Sequence, residues 1–327
     1  MSGFDVAGWG MFVPERVVTS AQLAERFGVD EHWIVSRCGI RERRVVGAGQ
    51  TTASMAVEAG RRALERAGMS GADVAHLIVA TATPEQPSPA TSAFVHDELG
   101  VAGSAHDVNA ECAGFVYALV TAAGLMRMDP RPVLVIGSDT HTLTANPADR
   151  DLSILVGDGA GALVLTPGEV DRVLAWNLGA DGSCKNSLKV LAGGSRMPTT
   201  AQTVADGLHY AQINGNEIYL NAVRYSVRTI RETLEQAKLA PEDVDHVVPH
   251  QANIRIINSV LSHTGIPQDR LVTNLERYGN TASGSVPIAL AEALDAGRIR
   301  AGDKVLLAGF GAGMTWGSLL VEWGGAR

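Results

Sequence analysis

The sequence predicts an α/β protein built from two duplicated halves, each carrying a mainly parallel sheet. Two observations carry this. Residues 61–76 and 231–246 read as copies of each other, with Arg61/Arg231, Leu64/Leu234, Glu65/Glu235, Ala67/Ala237, Asp73/Asp243, Val74/Val244 and His76/His246 coinciding at one constant offset. In each copy the apolar spacing changes from helical to a short continuous run, which reads as an amphipathic helix, a capped turn and a buried strand. A repeat this long is a duplicated domain rather than a solenoid. Strands alternating with helices make each half an α/β unit.

The elements follow in order. Each helix of the repeat closes in a turn with a capping Ser or Asp before the strand begins, at Leu77-Ile-Val-Ala in one half and Val247-Val in the other. Later segments repeat as well: Arg131-Pro-Val-Leu-Val-Ile-Gly pairs with Asp303-Lys-Val-Leu-Leu-Ala-Gly, and Gly161-Ala-Leu-Val-Leu with Gly317-Ser-Leu-Leu-Val. Gly and Pro punctuate residues 167–185, so the halves are expected to span residues 1–175 and 176–327. Residues 186–207, rich in Gly, Ser and Thr, read as an irregular loop. Gly157-Asp-Gly-Ala-Gly leads into a strand rather than a helix, so it reads as structural and not as a phosphate loop.

Composition bounds the function. The chain is 46% hydrophobic and 19% charged, as in a soluble globular enzyme. Its net charge of −8, with no basic tract, argues against nucleic acid and against an anionic membrane surface as partners. No apolar stretch reaches the length of a membrane span. The N-terminus lacks a signal-peptide pattern. Cys38, Cys112 and Cys184 are three, so they cannot all pair, and their spacing suggests neither a disulfide frame nor a metal site. A reducing cytoplasmic location is the expectation.

Three short segments carry chemistry. Cys112 lies in Asn109-Ala-Glu-Cys-Ala-Gly-Phe and opens a strongly apolar helix, where the positive end of the helix dipole would lower its pKa. From its own surroundings it fits either an inert buried cysteine or a nucleophile. His250, in His250-Gln-Ala-Asn253, sits at a strand-to-helix junction and reads as either a ligand-facing or a capping histidine. Asn280, in Gly279-Asn-Thr-Ala-Ser-Gly-Ser-Val-Pro287, could cap the helix that follows, but the density of small residues implies close approach to the backbone. Because such α/β sheets bind ligands at the C-terminal ends of their strands, Cys112 from one half should meet His250 and Asn280 from the other. The repeat places Ser283 opposite Cys112, a mate without the thiol. Backbone N–H groups of Gly309-Phe-Gly-Ala-Gly could point at a developing oxyanion.

These segments, with Trp33-Ile-Val-Ser-Arg-Cys-Gly-Ile-Arg41 and Gly309-Phe-Gly-Ala-Gly-Met-Thr-Trp-Gly-Ser318, resemble the β-ketoacyl-acyl-carrier-protein synthase III family of the thiolase superfamily over nearly the whole chain. The resemblance implies a thiolase-like fold in αβαβα layers, commonly a homodimer with residues 82–92 near the interface. It implies a condensing enzyme that loads an acyl group from acyl-CoA onto Cys112 and joins it to a malonyl thioester, with no bound cofactor and no metal. Carried over residue by residue, His250 and Asn280 hydrogen-bond the malonyl thioester oxygen, and the N–H groups of Cys112 and Ala312 hold the oxyanion. Trp33, Arg37, Arg150 and Asn216 bind CoA, and Phe115, Tyr219 and Phe310 line the acyl and pantetheine channel.

The chain also departs from the family. Of the basic positions where the carrier protein docks, Arg255 remains, but the others read Leu220, Ser262 and His263. Glu111 replaces a small residue before the nucleophile, and Ala312 stands for Gly. These departures imply a specialised starter-unit synthase. The alternative is an acyltransferase that moves the group from Cys112 to an alcohol, amine or carrier thiol without condensation. A degradative thiolase would need a second cysteine near Gly309–Gly313, and a hydroxymethylglutaryl synthase would need a glutamate base, for which Glu85 is the candidate.

Overall fold

A computed structural model describes residues 3–324. Two sheets lie in five layers. The first has the strand order Gly3–Phe12, Asp158–Gly168, Val133–Thr140, His76–Ala80, Ser104–Val108. The second has the order Val173–Ala180, Thr315–Glu322, Lys304–Gly311, His246–Pro249. Read from matching ends, the orders superpose. A single parallel bridge, Val247 to Leu271, stands where the fifth strand of the second half would be.

Helices Gly114–Met128 and Ser285–Asp295 form the central layer and touch both sheets. Helix Thr52–Ala67 covers the outer face of the first sheet, and helix Gly215–Ala237 that of the second. The central layer holds the largest apolar cluster, with Phe115, Leu119, Val286, Leu290, Val135 and Leu307 buried together. The apolar content of Gly114–Met128 runs around the whole helix, as its position between two sheets demands.

The duplication is carried in detail. Both repeat strands begin at the matching histidines, His76 and His246, and the paired strands Val133–Thr140 and Lys304–Gly311 have eight residues each. Three sequence expectations need correction. The sheets are mixed rather than mainly parallel. Two of the four pairings in the first sheet and one of the three in the second are parallel. Each half returns antiparallel after its central strand, because Val133–Thr140 and Lys304–Gly311 each pair with the next strand in the chain. The first sheet ends at Gly168 and the second begins at Val173, so residues 173–175 belong to the second half. The segment 186–207 is not irregular throughout. Leu188–Val190 pairs with Ala211–Ile213, and Thr200 caps the short helix Ala201–Ala205 through a capping box.

Candidate active site

The seam between the halves places Cys112, His250 and Asn280 on one cavity of about 360 Å³. Cys112 sits in the 3-10 turn Glu111–Ala113, just ahead of helix Gly114–Met128. The chain enters that turn through Glu111 at φ 51°. Gly311 is required beside it. A Cβ there would lie 2.6 Å from the Cys112 nitrogen and 2.7 Å from the Glu111 Cβ. The turn's first amides have no helical partner, so the Cys112 N–H is free to face a ligand oxygen. Ala312 lies on the same cavity wall.

The thiol does not behave as its helix-end position suggested. Burial pushes its pKa well up, the Glu111 and Asp139 carboxylates add to the rise, and a backbone N–H pulls the other way. Burial in turn lifts Glu111 to about 7, with Asp139 contributing. Asp139 is fully buried and accepts from the Thr81 and Thr83 hydroxyls and from the N–H groups of Ala82, Thr83 and Ser283.

His250 follows strand His246–Pro249, and its N–H donates to the Ala308 carbonyl at 2.7 Å. Its Nδ1 lies 2.7 Å from Ser285 Oγ, and the Gln251 N–H donates to the same oxygen at 3.3 Å. With that oxygen already accepting from Gln251, we assign the Ser285 hydroxyl proton to Nδ1, which leaves the neutral ring's own proton on Nε2. Burial, with His141 adding to it, pushes the His250 pKa down to about 3, so the ring stays neutral at working pH. The Phe310 ring meets it edge-on at 5.2 Å.

Asn280 is held by its backbone. Its N–H donates to Leu155 O at 2.8 Å, and its carbonyl accepts from Gly157 N at 2.9 Å. Its Oδ1 accepts the Ala282 N–H at 2.9 Å. The side chain thus completes the turn with its oxygen and keeps its amide NH₂ for a ligand. The oxygen serves the 3-10 turn Ala282–Gly284 and not the helix Ser285–Asp295, whose N-terminus has no side-chain cap.

The expected CoA residues lie at the rim. The Trp33 ring has the Arg37 guanidinium carbon at 5.0 Å and the Arg150 one at 4.8 Å from its centroid. Arg37 and Asn216 border the cavity, whereas Trp33 and Arg150 are set back from it. Arg150 pairs with Asp151 at 2.8 Å, a carboxylate that borders the cavity. Tyr219 and Phe310 line the wall as expected. Phe115 does not. It is fully buried in the central layer, three residues past Cys112 on the helix, where it packs toward Gly137. Glu85 lies outside the cavity, in a separate cleft, accepting the Ala53 N–H.

Three residues that matter here were not singled out from sequence for any role in the site. Ser285 orients His250. Asp139 receives the seam. His141, at the C-terminal end of strand Val133–Thr140, lines the cavity with Cys112. The strand-end rule applied to the first half would have flagged His141. Among the described residues no cluster of three or more His, Cys, Asp or Glu is placed to hold a metal, and no helix is long and apolar enough to cross a membrane.

Comparison with known proteins agrees with this arrangement. The model of the 3-oxoacyl-(acyl-carrier-protein) synthase III family matches residues 106–182, and the model of that family's C-terminal region matches residues 234–323. The chain is 44% identical to a β-ketoacyl-(acyl-carrier-protein) synthase III of Roseiflexus sp., covering 97% of this chain and 98% of the relative. It superposes on the crystal structure of 3-oxoacyl-(acyl-carrier-protein) synthase III from Aquifex aeolicus with a TM-score of 0.91 and 35% identity, covering 98% of this chain and all of that one. A priming β-ketosynthase from a polyketide biosynthetic pathway superposes equally well, with a TM-score of 0.91 and 34% identity over 99% of this chain and 97% of its own. With the fold duplicated, the thiol, imidazole and amide on one cavity, and relatives matched end to end, the chain belongs to the 3-oxoacyl-(acyl-carrier-protein) synthase III family.

Proposed function

We propose that this protein is a condensing enzyme that primes fatty-acid or polyketide synthesis. The observation that carries the proposal is the meeting of Cys112, His250 and Asn280 on one cavity, with hydrogen-bond donors left free on the last two. In the first step the Cys112 sulfur attacks the carbonyl of an acyl-CoA. A C–S bond to Cys112 forms and the bond to CoA sulfur breaks. The thiol proton leaves with the CoA. The N–H groups of Cys112 and Ala312 hold the oxyanion between these events. Trp33, Arg37, Arg150 and Asn216 would grip the CoA, Arg suiting phosphate by its planar fork.

In the second step a malonyl thioester enters. Its carboxylate carbon leaves as CO2, and the electron pair moves onto the thioester oxygen as an enolate. His250 Nε2–H and the Asn280 amide donate to that oxygen, each contributing about 3 kcal/mol to the transition state. The depressed His250 pKa keeps the ring a hydrogen-bond donor rather than a proton source. The enolate carbon then attacks the acyl-Cys112 carbonyl. A C–C bond forms, the C–S bond breaks, and the cysteine takes back a proton. The steps call on no metal or redox group.

The malonyl donor is read as a carrier-protein thioester, with weakened docking at Leu220, Ser262 and His263. A homodimer is supported by the edge strand Ser104–Val108, which among the described residues has no neighbour on its outer side and stays partly exposed along its length. The three free cysteines support a reducing cytoplasmic location. Acyl transfer without condensation is not favoured by the matched relatives.

Intact-protein mass spectrometry tests the reading. Mixing with acyl-CoAs should add one acyl mass to the wild type and none to Cys112→Ala. Adding malonyl-carrier protein or malonyl-CoA should discharge that mass as a β-ketoacyl product with release of CO2. An acyl-enzyme that survives the malonyl thioester would refute the condensing reading.

A further inference from the structure

We propose that His141 makes the cavity selective for acyl groups that carry a hydrogen-bond donor on the chain, a hydroxyl above all. The inference rests on the acyl-loading reading above and adds the class of acyl group.

The argument starts from the ring's own hydrogen bond. His141 is 7% exposed and lines the same cavity as Cys112. Its Nδ1 lies 3.3 Å from the Asn280 carbonyl oxygen. A carbonyl oxygen only accepts, so Nδ1 carries the ring proton and Nε2 of the neutral ring is left as a lone-pair acceptor. No group of the chain donates to that nitrogen among the described residues. Asp158 does not pair with the ring. It accepts from the Thr142 N–H and hydroxyl and from the Val46 N–H.

The wall of the cavity includes hydrocarbon. Leu155, Leu188 and Ile213 line the same cavity. The turn His141–Leu143 is tied to this region by the Ala211 N–H, which donates to Thr144 O at 2.8 Å. In the empty cavity water can serve Nε2. An alkyl chain filling the cavity displaces that water and offers nothing in exchange, so the buried acceptor is left unpaired. A hydroxyl on the chain restores the bond. A site that must satisfy a buried polar group discriminates against the analogue lacking its partner.

The test compares Cys112 loading rates by mass spectrometry for butyryl- and hexanoyl-CoA and for the 2-hydroxy and 3-hydroxy form of each. The wild type should load at least one hydroxyacyl group about tenfold faster than its alkyl counterpart. His141→Leu should reverse the order. His141→Asn, whose amide can still donate to the Asn280 carbonyl but has no atom at the Nε2 position, should lose the preference while keeping Asn280 in place. Equal or faster loading of the alkyl groups by the wild type overturns the inference and leaves the condensing reading intact. A preference that persists in both variants also overturns it. Failure of all six thioesters to load Cys112 overturns the inference together with the reading beneath it.

Discussion

Ser283 Oγ donates a 3.0 Å hydrogen bond to the main-chain carbonyl of Glu111, so the pseudo-symmetric mate of Cys112 holds the turn of Cys112 itself. The two turns are copies. Glu111 at φ 51° and Ala282 at φ 45° occupy matching places in the 3-10 turns Glu111–Ala113 and Ala282–Gly284. The second copy has the same backbone, carries a hydroxyl where the first has the thiol, and acts as a clamp. Its N–H also donates to Asp139 at 2.7 Å, which fixes the turn to the first half. Ser283→Ala should cost about 1 kcal/mol of stability, the worth of one buried hydrogen bond. It should also slow acyl loading several-fold, because Cys112 rides on the clamped turn. Urea unfolding and loading kinetics check both, and an unchanged loading rate would show that the turn holds without the clamp.

Glu111 sets the second prediction. It stands beside the nucleophile, and its charge raises the thiol pKa. Glu111→Gln should shift the pH profile of iodoacetamide alkylation at Cys112 to lower pH. Stability gives a second readout. The folded pKa of Glu111 is raised to about 7 from an ordinary value of 4.5. Its contribution is therefore fully present below pH 4.5 and lost as pH rises through 7. The glutamine has no such titration, so the variant should gain stability relative to the wild type across that window. Coincident alkylation profiles for the two proteins would mean that the carboxylate does not act on the thiol.

Ser285 acts through His250. Without its hydroxyl, Nδ1 loses the bond that leaves the ring proton on Nε2. Ser285→Ala should lower the rate of condensation about tenfold while leaving acyl loading by acyl-CoA nearly unchanged, since only the second step calls on the Nε2 donor. The wild-type condensation step should show no imidazole limb between pH 5 and 8, because the His250 pKa lies near 3. Equal losses in both steps would place Ser285 in the general packing of the site instead.

Much of this was legible in the sequence, and the parts that were not share a cause. The repeat at His76/His246 gave the two halves because matching apolar spacing forces matching layers. Cys112 and His250 could be paired because each follows a strand end, whereas Asn280 follows the short helix Leu275–Tyr278 and was marked only by the small residues around it. The antiparallel returns stayed hidden, since pairing direction leaves no local mark on a fully buried strand such as Val133–Thr140. Phe115 was misplaced because an all-apolar helix gives no sign of which face meets a cavity and which meets the other sheet. The thiol pKa was misjudged because helix position is local, whereas its burial and the approach of Asp139 are set by the tertiary fold.

Lys238 offers a test of the duplication on stability alone. It ends helix Gly215–Ala237 at φ 57°, the place that Gly68 takes at φ 64° in the first half. A non-glycine residue in this region is strained. Lys238→Gly should therefore stabilise the protein by about 0.5–1 kcal/mol with no change in loading or condensation. Denaturant midpoints at constant slope would show it, and a loss of stability would mean that the lysine side chain contributes more than the strain removes.

The last prediction concerns the malonyl donor. Leu220 is 66% exposed on helix Gly215–Ala237, one residue past the cavity-lining Tyr219. Exposed Arg255 stands over the Tyr219 ring at 5.6 Å, so a cation marks this rim, while Leu220 and Ser262 add none. An acidic carrier protein approaching this face would meet no charge at Leu220 and Ser262, which weakens steering more than it weakens contact. Leu220→Lys should lower KM for malonyl-carrier protein several-fold and make it more sensitive to salt, because the added attraction is screened beyond about 10 Å at 0.1 M. KM for malonyl-CoA should not follow if CoA is held at the Trp33 rim, as proposed above. A fall in both would mean that the lysine acts on the phosphates of CoA and that the carrier docks elsewhere.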